Sequence, residues 1–302
     1  MKNRCAAIGT FDGVHKGHYS VINTLLEVAR ERDLDPIVIT FSNHPLELIA
    51  PERKPGLITT LDNKIRLLEQ SGLQPHIFTF DNDLKCTSAR DWLKKIHDDL
   101  GVRVLVIGYD TTFGCDGINL SLADFKKLGE ETDVEVLIAP EMPGISSSAI
   151  RKAVELGEME KAEIMLGRPY SIEGNVEKGN QLGREIGFPT ANIIPDISLI
   201  LPKTGVYAAY ISIPGVGNEL YPAMVNVGVR PTVCRDNEKI IEAHILDWDG
   251  DIYGQYLVIS FIKHIRDEKK FDSIEILQSQ LDIDKESVKD VFKQYKIPGN
   301  EL

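Results

Sequence analysis

The spacing of apolar residues changes once along this chain, near Pro169, and that change limits the folds open to it. Before it, short apolar runs alternate with longer amphipathic ones. Cys5–Ile8, Ile37–Phe41, Ile77–Phe80, Val102–Ile107 and Val134–Ala139 read as strands, and His18–Arg32, Leu61–Gln70, Ser88–Leu100 and Leu120–Glu130 as the helices between them. The first helix carries Val21, Leu25, Val28 and Ala29 at the spacing of one buried face. Strands alternating with helices make βαβ units, hence a parallel sheet covered on both faces. Two short helical stretches follow, Ser148–Leu156 and Met159–Leu166. Beyond Pro169, Ser171–Glu177, Val206–Ile213, Leu220–Val227, Ile240–Leu246 and Gln255–Ile262 are strand-like and separated by Gly and Pro turns, the pattern of an antiparallel sheet or small barrel. A last helix is expected at about Ser273–Tyr295. A chain of 302 residues suits two domains, expected at 1–166 and 167–302.

The first strand runs into Gly9-Thr10-Phe11-Asp12-Gly13-Val14-His15-Lys16-Gly17-His18. In a doubly wound sheet the loop after the first strand lies at the switch point where ligands bind. Gly9 and Gly13 let backbone approach a phosphate, and His18 is expected to open a helix whose N-terminus favours anions. His15 and His18 are spaced so that both can face one point and donate hydrogen bonds to a triphosphate. Read on its own, the segment is also compatible with a glycine turn capped by histidines. Further on, Ile145-Ser146-Ser147-Ser148-Ala149-Ile150-Arg151 offers hydroxyls and a guanidinium at a helix start, a second phosphate clamp.

Charge narrows the ligand. With 46 acidic against 34 basic residues the formal net charge is −12. That surface repels nucleic acid and anionic membranes, but admits a small anion held in a local pocket. Cys5, Cys86, Cys115 and Cys234 are scattered without metal spacing, as suits a reducing cytoplasm. The polar start predicts no secretory leader, and no apolar run approaches the ~20 residues needed to span a bilayer.

The second half has a glycine-dense stretch in which Gly174, Gly179, Gly183, Arg184 and Gly187 precede Phe188-Pro189-Thr190-Ala191-Asn192. Such backbone can wrap closely around a ligand. In an extended segment Thr190 and Asn192 point to one side, where a hydroxyl and an amide oxygen can hold Mg²⁺ against phosphates. Further on lie Asn226-Val227-Gly228-Val229-Arg230-Pro231-Thr232 and Glu242-Ala243-His244-Ile245-Leu246-Asp247. A carboxylate within an apolar strand is costly without a purpose, so Glu242 is a candidate general base; a glutamate on the solvated face of an edge strand is the other reading.

The first loop resembles the HxGH signature of the nucleotidyltransferase superfamily, and Ile145–Arg151 resembles its I-S-S-T-x-I-R motif. Gly187–Asn192 resembles the PTAN motif of riboflavin kinases, and Glu242 falls at their catalytic glutamate. With Leu166–Tyr170 between them, the chain resembles the bifunctional bacterial riboflavin kinase/FMN adenylyltransferase family over nearly all of residues 4–295. The resemblance implies a Rossmann-like nucleotidyltransferase domain followed by a six-stranded antiparallel barrel. It implies ATP and Mg²⁺ as co-substrate and cofactor, and riboflavin, FMN and FAD as the flavins handled. It places Gly9, Phe11, Asp12, Gly13, His44, Asp110, Ser147 and Ser148 at the adenylyl site with His15, His18 and Arg151. It places Gly174, Gly179, Arg184 and Pro189 with Thr190, Asn192 and Glu242 at the kinase site.

Some positions depart from the family pattern. Ser42 in Phe41-Ser42-Asn43-His44-Pro45 stands where an acid is usual. Thr112 precedes Phe113-Gly114, Cys115-Asp116 follow where basic residues are common, and Ser148 replaces a threonine. A riboflavin kinase with a weak or lost adenylyltransferase is therefore the alternative, with a flavin-binding protein lacking turnover behind it.

Overall fold

The computed structural model describes residues 3–177, 183, 186–217, 219–229, 239–250 and 252–295. By packing, the chain forms two compact units, Met1–Ser147 and Ser148–Leu302.

The first unit is a parallel sheet of β1 (Arg4–Ile8), β2 (Asp35–Phe41), β3 (Gln74–Phe78), β4 (Val102–Ile107) and β5 (Glu135–Ile138) in the order β3-β2-β1-β4-β5. Its helices are α1 (Lys16–Arg32), α2 (Leu46–Ile49), α3 (Leu61–Gln70), α4 (Asn82–Cys86), α5 (Ala89–Leu100) and α6 (Leu122–Glu131). The two-residue period of the strands divides the core. Cys5, Ala7, Val38, Val104 and Val106 pack with α1, through Val21, Ile22, Leu25 and Val28. Ala6, Ile8, Ile37, Ile39, Leu105 and Ile107 pack with Trp92, Leu93 and Ile96 of α5 and Phe125 of α6. Burial on both sides explains why these strands are apolar throughout rather than alternating. β1 is central, and the chain winds to one side through β2 and to the other through β4, so the end of β1 is the switch point.

Several boundaries differ from the sequence reading by one to four residues, and two of them bear on the site. Helix α1 starts at Lys16, because His15 is its N-cap and His18 lies in its first turn. The third strand ends at Phe78, two residues short of Phe80, whose N–H is taken by Asn43 Oδ1 at 2.8 Å.

The second unit opens with α7 (Ser147–Glu155), which begins at the division, and α8 (Met159–Leu166). Helix α8 packs on the barrel through β11 and β6, and Lys203 N–H donates to Val154 O at 3.3 Å. These helices therefore pack with the barrel, although the sequence pattern groups them with the preceding domain. The barrel comprises β6 (Tyr170–Glu177), β7 (Ala191–Pro195), β8 (Gly205–Ser212), β9 (Tyr221–Val229), β10 (Lys239–Ile245) and β11 (Tyr256–Arg266), closed antiparallel in the order β10-β7-β6-β11-β8-β9. Closure removes sheet edges, so Glu242 does not sit on an edge strand.

One parity of the barrel strands, including Ala191, Ile193, Val225, Val227, Ile241 and Ala243, is buried. The other parity meets the C-terminal helix α9 (Ile274–Gln294). There Phe188, Val206, Ala208 and Met224 pack with Val288, Leu281, Val291 and Phe292. An ion pair anchors this helix: Arg266 Nε donates to Asp284 Oδ1 at 2.9 Å and Nη2 to Oδ2 at 2.6 Å. Asp284 is 1% exposed and also accepts from Gln280 Nε2 at 2.9 Å. Among the described residues, no helix is long and apolar enough to cross a membrane.

Candidate functional site

In the first unit the loop after β1 is held in a conformation that few sequences adopt. Phe11 (φ 49°), Gly13 (φ 84°) and Val14 (φ 37°) all lie in the left-handed region. A Cβ at Gly13 would also meet Ile58 Cγ2 at 2.9 Å, so only glycine fits. The strain is held by the segment entering α3. Asp12, 4% exposed, accepts from the N–H groups of Ile58 (2.9 Å) and Thr59 (3.1 Å). Gly13 N–H donates to Thr59 Oγ1 at 3.1 Å. The Asp12 carboxylate thus pins loop to loop.

His15 and His18 form a reciprocal cap. His18 N–H donates to His15 Nδ1 at 3.3 Å, and His15 N–H donates to His18 Nδ1 at 3.2 Å. The rings stack with centroids 3.6 Å apart and planes 14° apart. The glycine between them makes room, since a Cβ at Gly17 would stand 3.0 Å from His15 Cε1. Ser147 Oγ donates to Asp12 O at 3.0 Å, so the start of the second motif is tied to the first loop. Ser148 and Arg151 follow on α7 beyond the division, Ser148 exposed and Arg151 half-buried. Gly9 N–H donates to Ile39 O at 3.1 Å, continuing the sheet into the loop.

His44 lies after β2, where its Nδ1 accepts from Leu46 N–H at 3.1 Å. Beside it, Ser42 Oγ meets Thr79 Oγ1 at 3.1 Å. Asp110 is exposed in the turn after β4. The sequence reading missed Lys64 on α3. Its Nζ donates to Thr10 O (3.1 Å) and Phe41 O (2.8 Å), it is 9% exposed, and burial lowers its pKa to about 8 against the opposing pull of Asp12.

In the second unit Thr190, Asn192 and Glu242 line one cavity of about 330 Å³. The register explains how. Asn192 on β7 stands opposite Glu242 on β10, and Asn226 on β9 is Glu242's other partner. Val206 on β8 pairs with Asn226, and Arg266 on β11 with Val206. This cross-strand belt faces Phe271, Leu277 and Leu281, giving the cavity a polar floor and an apolar wall. His244, two residues from Glu242, also lines it. Its Nδ1 lies 2.9 Å from Pro189 O and, facing a carbonyl, carries the proton; its ring tilts against Phe188 at 5.2 Å. Burial lowers the His244 pKa, so the ring is neutral at neutral pH.

Gly174 serves the fold here. A Cβ would lie 2.4 Å from Ile194 O, so it allows β6 and β7 to approach. Gly179 and Arg184 lie outside the described residues. Among the described residues no group of three or more His, Cys, Asp or Glu is placed to hold a metal ion. The hydroxyl and amide oxygens of Thr190 and Asn192 are hard donors that fit Mg²⁺ shared with phosphates rather than caged by protein. Asn226 and His244 lie in segments that stand out in the sequence without a local pattern that gives them a role; their period-two relation to Met224 and Glu242 is the signal that finds them.

A family model for FAD synthetase matches residues 1–152, and one for riboflavin kinase matches residues 166–292. The chain is 36% identical to the bifunctional riboflavin kinase/FMN adenylyltransferase of Bacillus subtilis over 93% of its own length and 90% of that protein. It is 34% identical to the protein of the same description from Escherichia coli K12, over 94% and 91%. The crystal structure of a macrolide-efflux protein from Streptococcus pneumoniae matches with a TM-score of 0.86 and 30% identity, covering 95% of this chain and 94% of that one.

Proposed function

The chain belongs to the bifunctional riboflavin kinase/FMN adenylyltransferase family, and we propose that residues 167–302 make FMN while residues 1–166 convert it to FAD. The observation that carries the first step is the cavity where Glu242, Asn192 and Thr190 meet. The riboflavin 5′-hydroxyl oxygen attacks the γ-phosphorus of ATP, its proton passes to a Glu242 carboxylate oxygen, and ADP leaves. An alcohol is a poor nucleophile until that proton moves, which is the task of a positioned base. Thr190 and Asn192 would hold Mg²⁺, which neutralises phosphate charge when bound. Pro189 is held by His244, and the apolar wall of Phe271, Leu277 and Leu281 suits a flat ring system.

In the second step an FMN phosphate oxygen attacks the α-phosphorus of a second ATP, the bond to the β-phosphate breaks, and pyrophosphate leaves. The nucleophile is already an anion, so the need is for donors on the developing charge. Because each Nδ1 of His15 and His18 accepts a backbone N–H, a neutral ring in either position carries its proton on Nε2 and offers a donor. Ser147, Ser148 and Arg151 keep the phosphate-binding role that the second motif implies. The enzyme works in the cytoplasm on ATP, riboflavin and FMN. Incubation with riboflavin, ATP and Mg²⁺ followed by chromatography tests the reading: FMN and then FAD is expected, and FMN without FAD establishes the kinase-only alternative.

A further inference from the structure

Lys64 is the one cation that reaches the back of the nucleotide loop in the bonds described above; its ammonium donates to carbonyls, and the Asp12 carboxylate is near enough to act on its charge. A lysine is rarely buried without an ion partner, because desolvation penalises its charge. Here it is 9% exposed, with Nζ on Thr10 O and Phe41 O. Thr10 O accepts a second bond, from Thr40 Oγ1 at 3.2 Å, and Thr40 is fully buried on β2. Two donors therefore fix the Thr10–Phe11 peptide. No peptide in the described chain is cis. In a planar trans peptide the N–H points opposite the C=O, so the Phe11 N–H is turned away from Lys64. Beyond that peptide, Phe11 and Gly13 both have left-handed φ, a run of backbone of the concave kind that binds anions.

We propose that Lys64 is a positioning residue for adenylyl transfer, aiming the Thr10–Phe11 peptide at the triphosphate and placing a buried positive charge behind it. The proposal rests on the adenylyl reading given above. It explains why a helix otherwise amphipathic in the usual sense turns a lysine inward. It also explains why burial of that charge is tolerated: the anion in front of the loop offsets its desolvation once bound. The lowered pKa of the amine is the mark of that desolvation.

The test uses the full chain and two assays on each preparation, FMN plus Mg-ATP giving FAD and riboflavin plus Mg-ATP giving FMN. Lys64→Met is expected to lower kcat for FAD formation roughly a hundredfold, the scale of losing preorganised donors, with KM for FMN nearly unchanged. FMN formation stays at the wild-type rate, because Lys64 lies in the other unit. Lys64→Arg keeps charge and donors and restores most of the activity. Thr40→Val removes only the second donor to Thr10 O and lowers kcat by about tenfold. Should Lys64→Met lose the folded first unit by circular dichroism, Thr40→Val decides the matter. Wild-type FAD formation in a folded Lys64→Met, or in Thr40→Val, overturns the proposal. So does a folded Lys64→Arg as inactive as Lys64→Met. A wild-type chain that makes FMN but no FAD removes the activity itself, a result distinct from any of these.

Discussion

Glu242 on β10 and Asn192 on β7 are register partners across the barrel, so the proposed base and a proposed metal ligand are set side by side by hydrogen-bonded backbone. Their spacing depends on the barrel and not on a loop. Glu242→Gln keeps the shape and the register but cannot take a proton. It is expected to reduce FMN formation by roughly 10²–10⁴-fold while riboflavin binding, followed by flavin fluorescence, changes little. Normal turnover in that variant would remove Glu242 from the mechanism.

The reciprocal cap is a structural task of His15 and His18 that can be separated from the chemical one proposed for them. His15→Asn retains an N-cap acceptor, while His15→Ala loses it at a cost of about 1 kcal/mol of helix stability. Both are expected to lower FAD formation by about 10²–10³-fold, as is His18→Ala, with FMN formation unaffected. If His15→Asn makes FAD at the wild-type rate, His15 is a cap alone. Pyrophosphate release measured beside thermal melting distinguishes the cases.

The Arg266–Asp284 pair docks the helix that walls the cavity proposed for the flavin. Asp284→Asn leaves a guanidinium short of its counter-charge in a largely buried setting, a loss of about 3–5 kcal/mol. Because Leu277 and Leu281 of the same helix line the cavity, riboflavin affinity should fall along with stability. Urea titration and fluorescence binding on one preparation check both. A variant as stable as the parent would show the pair to be ornamental.

Acid should weaken the fold through one buried and two half-buried histidines. Burial lowers the pKa of His76, His244 and His264 below the ordinary 6.5, with Arg4 reinforcing the shift at His76 and Asp267 opposing it at His264. The unfolded chain then binds more protons than the folded one at and below that pH, so stability is present above about 6.5 and declines as pH falls. The histidine contribution to the melting temperature should be level from pH 8 to 7 and drop below 6.5, beside a separate, smaller decline near pH 8 from Lys64. His244→Gln, which keeps a donor for Pro189 O, should flatten part of the slope; an unchanged slope would clear His244.

Periodicity made most of this fold legible. A strand apolar on both sides announces a covered parallel sheet, and Val102–Ile107 and Leu61–Gln70 appear where the pattern puts them. β7 was read only as an extended stretch, since five residues ending in proline after a glycine run carry little strand signal. Motif residues were legible as types but less so as tasks. The sequence does not show that Asp12 binds the backbone of a distant segment or that Gly174 lets a neighbouring strand approach. Lys64 was invisible because a lysine on an amphipathic helix reads as solvated, and only the fold shows which way it turns. Arg266 and Asp284 pair across elements, and no local pattern carries such a contact.

The stacked imidazoles at the start of α1 carry a further consequence. Each ring is oriented by an amide that the helix must satisfy in any case, so the donors proposed for departing pyrophosphate would be installed when the chain folds rather than when ATP arrives. Little reorganisation is left for the moment of reaction. The converse is a shared fate: whatever frays the first turn of that one helix, heat or a poor residue at position 17, disarms FAD synthesis while the sheet beneath is still intact.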